Sequence, residues 1–115
     1  MMDDATVLLF SYGTLRQAEV QMASFGRLLA GQPDALPGYT SVMLEITDPD
    51  VVATSGLKFH PIVVETGNPA DEVAGTLFSI TEAELAAADA YEVSDYKRIE
   101  VVLKSEKSAW VYVKA

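Results

Sequence analysis

Tyr12-Gly13-Thr14-Leu15-Arg16 follows a β-prone run and precedes a helix-prone one. A strand that ends in such a turn leaves the first backbone N–H groups of the next helix without intrahelical acceptors, and these groups bind anionic oxygens. Gly13 permits a positive φ and close approach of a ligand, and Arg16 adds a positive charge to a carboxylate-rich chain. Alone, these residues also describe an ordinary strand-to-helix turn. A second group, Asp89-Ala90-Tyr91-Glu92, closes an alanine-rich helix. There a carboxylate meets the negative end of the helix dipole, and Asp89 adds like-charge repulsion at i, i+3; both push the pKa of Glu92 upward. A glutamate so adjusted suits general acid/base work if it points into a pocket, and is otherwise a solvated helix end.

Other reactive residue types read as structural. His60 is the only histidine and the chain has no cysteine, so neither a zinc site nor a thiolate nucleophile is expected. Ser11, Ser55 and Ser79 have no base nearby in sequence. Trp110 and Tyr112 share one face of the last strand and are expected to pack. Glu82 and Glu84 polarise a helix start, with Thr81 and Glu84 at capping-box spacing.

These groups must be positioned by a chain of 115 residues, half of them hydrophobic, which is enough for one core and one domain spanning residues 1–115. Residues 5–12 lack polar alternation and predict a central strand covered on both faces. Ala18, Met22, Phe25 and Leu29 recur at helical spacing until Gly31 and Pro33 end the pattern. Residues 36–46, 61–65, 73–80, 96–103 and 109–113 predict further strands, with Gly75 marking a bulge or a close backbone approach. Residues 47–60 read as a loop, and a helix follows Thr81. The sum is about six strands and two helices in a mixed α/β domain.

Seventeen acidic against eight basic residues give a net charge of −9, which repels nucleic acid and anionic membranes. The N-terminus opens Met1-Met2-Asp3-Asp4 without a signal-peptide pattern, and no run of about 20 apolar residues exists. A cytoplasmic location is the expectation.

Four segments, in order, carry a family resemblance. Phe10–Arg16 resembles the YGTLR signature of the γ-glutamylcyclotransferase superfamily, within it the AIG2-like branch with its γ-glutamylamine cyclotransferase-like proteins. Val73–Phe78 is similar to its V-x-G-x-L-[YF] strand, Asp89–Glu92 to LDxYEG, and Tyr96-Lys97-Arg98 to Y-x-R. Ala88 and Val93 depart from that third pattern, standing where the family has leucine and glycine.

The resemblance implies a small mixed barrel without metal or organic cofactor, and a small-molecule γ-glutamyl substrate in a cavity beside the turn. It implies Glu92 as the catalytic residue, with Tyr12, Gly13, Thr14, Leu15 and Tyr96 as substrate neighbours. The activity implied is release of 5-oxoproline from a γ-glutamyl amine or γ-glutamyl-amino acid. The alternative on the same fold is a non-catalytic small-ligand-binding or interaction module. The oligomeric state is not legible.

Overall fold

The computed structural model describes residues 7–115, so Ala5 and Thr6 of the expected first strand lie outside the described residues. The strand itself, β1 (Val7–Ser11), sits at the centre of a five-stranded sheet. It pairs antiparallel with β5 (Glu72–Ile80) and parallel with β7 (Ser108–Lys114). Leu9 and Phe10 point to opposite faces, as successive strand residues must, and both are buried. Leu9 belongs to a cluster with Leu15, Val20, Leu85 and Ala88, on the side of helices α1 (Ala18–Phe25) and α3 (Glu82–Tyr91). Phe10 belongs to another, with Leu36, Val63, Leu77 and Val111. A continuous apolar run is therefore what this position requires.

Two elements differ from the sequence expectation. Helix α1 stops at Phe25, where Gly26 adopts φ 72° as a left-handed cap, rather than continuing through Leu29. The chain then forms β2 (Gly31–Pro37), paired with β5 at the sheet edge. Prolines that end a helix are tolerated in an edge strand, where one side of the ladder is open, so Pro33 carried two meanings, and the single strand expected over 36–46 is broken at Gly38, φ 84°, its first two residues ending β2.

The stretch expected as a loop, 47–60, contains α2 (Pro49–Ser55) and the start of β4 (Phe59–Glu65). Asp48 accepts from the N–H groups of Asp50 and Val51, and Pro49 opens the helix. What looked like turn chemistry is a helix N-cap followed by proline at its first position. β3 (Tyr39–Glu45) pairs with β4 in a separate two-stranded ribbon. With β2 and α2 added, the described residues of the mixed α/β domain form seven strands and three α-helices.

The C-terminal half follows expectation. Both halves of the capping box form, at 2.9 Å from Thr81 N to Glu84 Oε1 and 3.0 Å from Glu84 N to Thr81 Oγ1. β6 (Tyr96–Val102) and β7 make the terminal hairpin. Gly75 lies in an unbroken ladder opposite Asp34, so it marks no bulge. A Cβ there would collide with the Ser11 carbonyl oxygen and stand 2.7 Å from Phe10 Cζ. Close approach is its reason: β1 and β5 meet where the turn begins. No helix of the described residues is long and apolar enough to cross a membrane.

Candidate active site

Thr14–Arg16 form one turn of 3-10 helix between β1 and α1. Arg16 folds back over it: Nη2 donates to Tyr12 O at 2.8 Å and Nε to Gly13 O at 3.2 Å. The guanidinium thus ties down the carbonyls of the turn instead of offering its charge to the cavity. The Gly13 N–H makes a long 3.3 Å bond to Ser11 Oγ. Those of Thr14 and Leu15 have no acceptor among the described residues, which leaves two donors free. Gly13 itself has φ −126°, so the expected positive φ is absent. Its Cβ would meet Pro61 Cγ at 3.5 Å, an ordinary contact, so the missing side chain leaves room beside Pro61.

Glu92 caps the C-terminus of α3 in an extended conformation, φ −69° and ψ 136°, its N–H bonded to Ala88 O. Among the described residues Glu106 alone takes a positive φ outside glycine, so Val93 sits without strain where the family has glycine. Ala88 is fully buried against the sheet and fills the leucine position with a smaller side chain. Glu92 is partly exposed; its carboxyl is crowded by protein atoms, accepts no hydrogen bond from a described residue and keeps some contact with water, since no buried polar side-chain atom among the described residues lacks a partner. Burial pushes its pKa up to about 8. The upward direction matches the sequence argument; its cause is desolvation rather than Asp89.

Asp89 is occupied elsewhere. Arg98 holds it through a fork at 2.8 and 3.0 Å, and the Tyr112 hydroxyl donates to it at 2.7 Å. Partial burial works against its ionisation, but these partners outweigh that and keep its carboxyl below the ordinary aspartate range. Arg98 also lies 4.4 Å over the Trp110 ring, so Trp110 packs as expected.

All six residues named from the sequence, Tyr12, Gly13, Thr14, Leu15, Tyr96 and Glu92, line one cavity. Phe10, Ser11, His60, Pro61 and Tyr112 complete its wall. Its volume is about 20 Å³, room for roughly one water molecule. Tyr12 donates to the Tyr112 carbonyl at 2.5 Å and Tyr96 to that of Pro61 at 2.8 Å. The Tyr91 hydroxyl meets Thr14 Oγ1 at 2.7 Å. Burial raises the pKa of all four tyrosines, aided at Tyr12 by Tyr96 and then Glu92, at Tyr96 by Glu92, at Tyr91 by Glu92 against the opposing Thr14 bond, and at Tyr112 by Asp89 and then Glu92. These phenols stay protonated and can only donate or relay. Glu92 is the one lining group poised to change protonation near neutrality.

Sequence reasoning gave Tyr112 a packing role and His60 a place in a loop, and the structure puts both in the cavity wall. Alternation along β7 is the signal that marks Tyr112 as inward. His60 also has a serine partner that sequence distance concealed, Ser55 Oγ at 3.0 Å. The same ring nitrogen lies 3.2 Å from Leu57 O, which can only accept, so Nε2 carries the hydrogen. Burial lowers the pKa of His60 against the opposing Leu57 bond, and the ring is neutral. The pair ties α2 to β4 and leaves Ser55 without a base.

With the turn and the Glu92 carboxyl in one cavity, the chain has the fold and family match of the cyclotransferase-type superfamily. The chain belongs to the gamma-glutamyl cyclotransferase, AIG2-like family, whose model matches residues 9–115. No curated protein matches the sequence significantly. It is similar to the solution structure of an Arabidopsis thaliana protein, with 22% identity over 99% of this chain and 65% of that one, TM-score 0.72. An uncharacterized human protein aligns at 18% identity over 97% of this chain and 68% of that one, TM-score 0.73. A gamma-glutamyl cyclotransferase aligns at 17% over 95% and 66%, TM-score 0.70. The chain spans about two-thirds of the length of each, and at these identities the likeness is one of fold.

Proposed function

We propose that this protein is a γ-glutamylcyclotransferase that releases 5-oxoproline from a γ-glutamyl amine or γ-glutamyl-amino acid. The observation that carries this reading is Glu92: a crowded, partly desolvated carboxyl with a pKa of about 8, lining the same cavity as Thr14 and Leu15, whose backbone N–H groups are free. The substrate's α-carboxylate accepts from those two N–H groups, which bends the glutamyl chain so that its α-nitrogen lies near its own γ-carbonyl. An α-amino group has a pKa of about 8 and is largely protonated at neutral pH. Glu92 as carboxylate takes that proton. The α-nitrogen attacks the γ-carbon, a five-membered ring closes, and the protonated Glu92 returns the proton to the departing nitrogen; the second proton, shed by the ring nitrogen on closure, follows, so that the ring keeps one N–H and the amine leaves as an ammonium.

Attacker and target belong to one molecule, so positioning supplies much of the acceleration and no covalent enzyme intermediate is needed. The tyrosines around Glu92 crowd the carboxyl and limit its contact with water, which keeps its pKa high. A cavity of about 20 Å³ takes no glutamyl group as it stands, so substrate enters when lining residues part. That small volume also favours a second reading, a binding module without turnover. The test is to incubate the protein with a panel of γ-glutamyl compounds and follow 5-oxoproline. Release from at least one compound supports the enzyme; binding without release supports the module.

A further inference from the structure

The cyclisation proposed above, on which this inference rests, takes two protons from the substrate's α-nitrogen, and Glu92 moves the first. The second is shed as the ring closes, and it needs an acceptor in the same cavity.

Most polar side chains of the cavity wall are already committed. Tyr12 donates to Tyr112 O, Tyr96 to Pro61 O and Tyr112 to Asp89. Ser11 Oγ accepts from the Gly13 N–H, and Thr14 Oγ1 is shared with the Tyr91 hydroxyl. Neither a phenol nor an alcohol takes up a proton near neutral pH. Two side chains of the wall can: the Glu92 carboxylate and the His60 ring.

His60 is 3% exposed and is held from one side only. Its Nε2–H lies 3.2 Å from Leu57 O and 3.0 Å from Ser55 Oγ, so in the neutral ring Nδ1 carries the lone pair. Nδ1 has no hydrogen-bond partner among the described residues. Since no buried polar side-chain atom among them lacks a partner, Nδ1 keeps an opening, and the space that His60 lines is the cavity. Burial keeps the ring neutral at rest, so Nδ1 is available as a base. Once protonated, the ring still donates from Nε2 to Leu57 O, and the positive charge strengthens that bond.

We infer that His60 Nδ1 accepts an N–H of the substrate's α-nitrogen and relays its second proton. The bond from the α-nitrogen to the γ-carbon forms while the bond from the γ-carbon to the amine breaks. The second proton passes from the ring nitrogen to Nδ1 and from Nδ1 to the departing amine, which leaves as an ammonium. His60 returns to the neutral form, and Ser55 and Leu57 keep its ring in place throughout.

The experiment measures 5-oxoproline release by the parent, His60→Gln and His60→Ala on the best γ-glutamyl substrate. Glutamine offers an amide N–H to Leu57 O but no base, so a folded variant should show kcat lowered by about 10²-fold with KM little changed. Alanine leaves a hole the size of the ring. Added imidazole should restore release there, whereas pyrazole, of the same shape but far weaker as a base, should not. Full activity of His60→Gln overturns the relay while the cyclotransferase reading stands. If the glutamine variant does not fold, the alanine variant decides: restoration by imidazole alone supports the relay, and equal restoration by both compounds, or by neither, overturns it. A parent that releases 5-oxoproline from no compound overturns the relay together with the cyclotransferase reading.

Discussion

The Tyr112 hydroxyl donates to Asp89 at 2.7 Å while the Tyr112 carbonyl accepts from the Tyr12 hydroxyl at 2.5 Å. One residue of β7 thus joins the helix end that carries Glu92 to the strand end that carries the turn. Asp89 is the hinge of this link, because Arg98 holds it from β6 at the same time.

Replacing Asp89 with alanine removes both the Arg98 fork and the acceptor for Tyr112. Losing a hydrogen-bonded charge of this kind is expected to cost about 1–3 kcal/mol of stability. Misplacement of the α3 end should lower kcat/KM by at least about tenfold. Chemical denaturation and 5-oxoproline assays check the two effects; an unchanged value in both would show that the link positions nothing.

Glu92 with a pKa of about 8 is mostly protonated at neutral pH and must lose that proton to act as base. The substrate's α-ammonium, with a pKa also near about 8, must still hold its own. The productive pair is carboxylate plus ammonium, so kcat/KM should follow a bell that peaks near about pH 8 and falls on both sides. A plateau from about pH 5.5 to 7 would mean that the base is an ordinary, solvated carboxylate.

The same burial carries a stability cost. Between the ordinary value of 4.5 and the folded value of about 8, the unfolded chain releases a proton that the folded one retains. Stability contributed by the neutral group is therefore complete below the lower value and is lost as pH rises through the upper one. Glu92→Gln removes the cost. Its gain over the parent should be small near about pH 4 and reach about 4–5 kcal/mol above about pH 8. Thermal unfolding across this range measures it, and a gain independent of pH would contradict the burial of the carboxyl.

Gly75→Ala places a methyl against the Ser11 carbonyl and the Phe10 ring. Overpacking of this kind costs about 1–3 kcal/mol. Because Ser11 leads into the turn, activity should fall with stability rather than survive it. A fully stable, fully active G75A would show that β1 and β5 can separate without disturbing the site.

The four segments that suggested the family are legible in the sequence because each is constrained locally, and the structure shows why they occur together. Phe10 covers Gly75, Thr14 meets Tyr91, and Asp89 pairs with Arg98. The central strand and the capped helix α3 could be read because burial on both faces and a capping box leave unambiguous patterns. β2 could not, since Gly31 and Pro33 signal a helix end as strongly as an edge strand. Nor could α2, whose Asp48-Pro49 start resembles a turn. The raised pKa of Glu92 was foreseen in direction alone, because desolvation depends on tyrosines distant in sequence, and Arg98 removes the Asp89 repulsion expected from local spacing.

Glu92→Gln keeps the size of the side chain and removes its proton transfer, so 5-oxoproline release by this variant, set beside the parent on the best γ-glutamyl substrate, is the most direct measurement. The expected result is a folded variant with kcat lowered by about 10²–10⁴-fold. Retention of full activity by that folded variant would contradict Glu92 as the group that moves the proton.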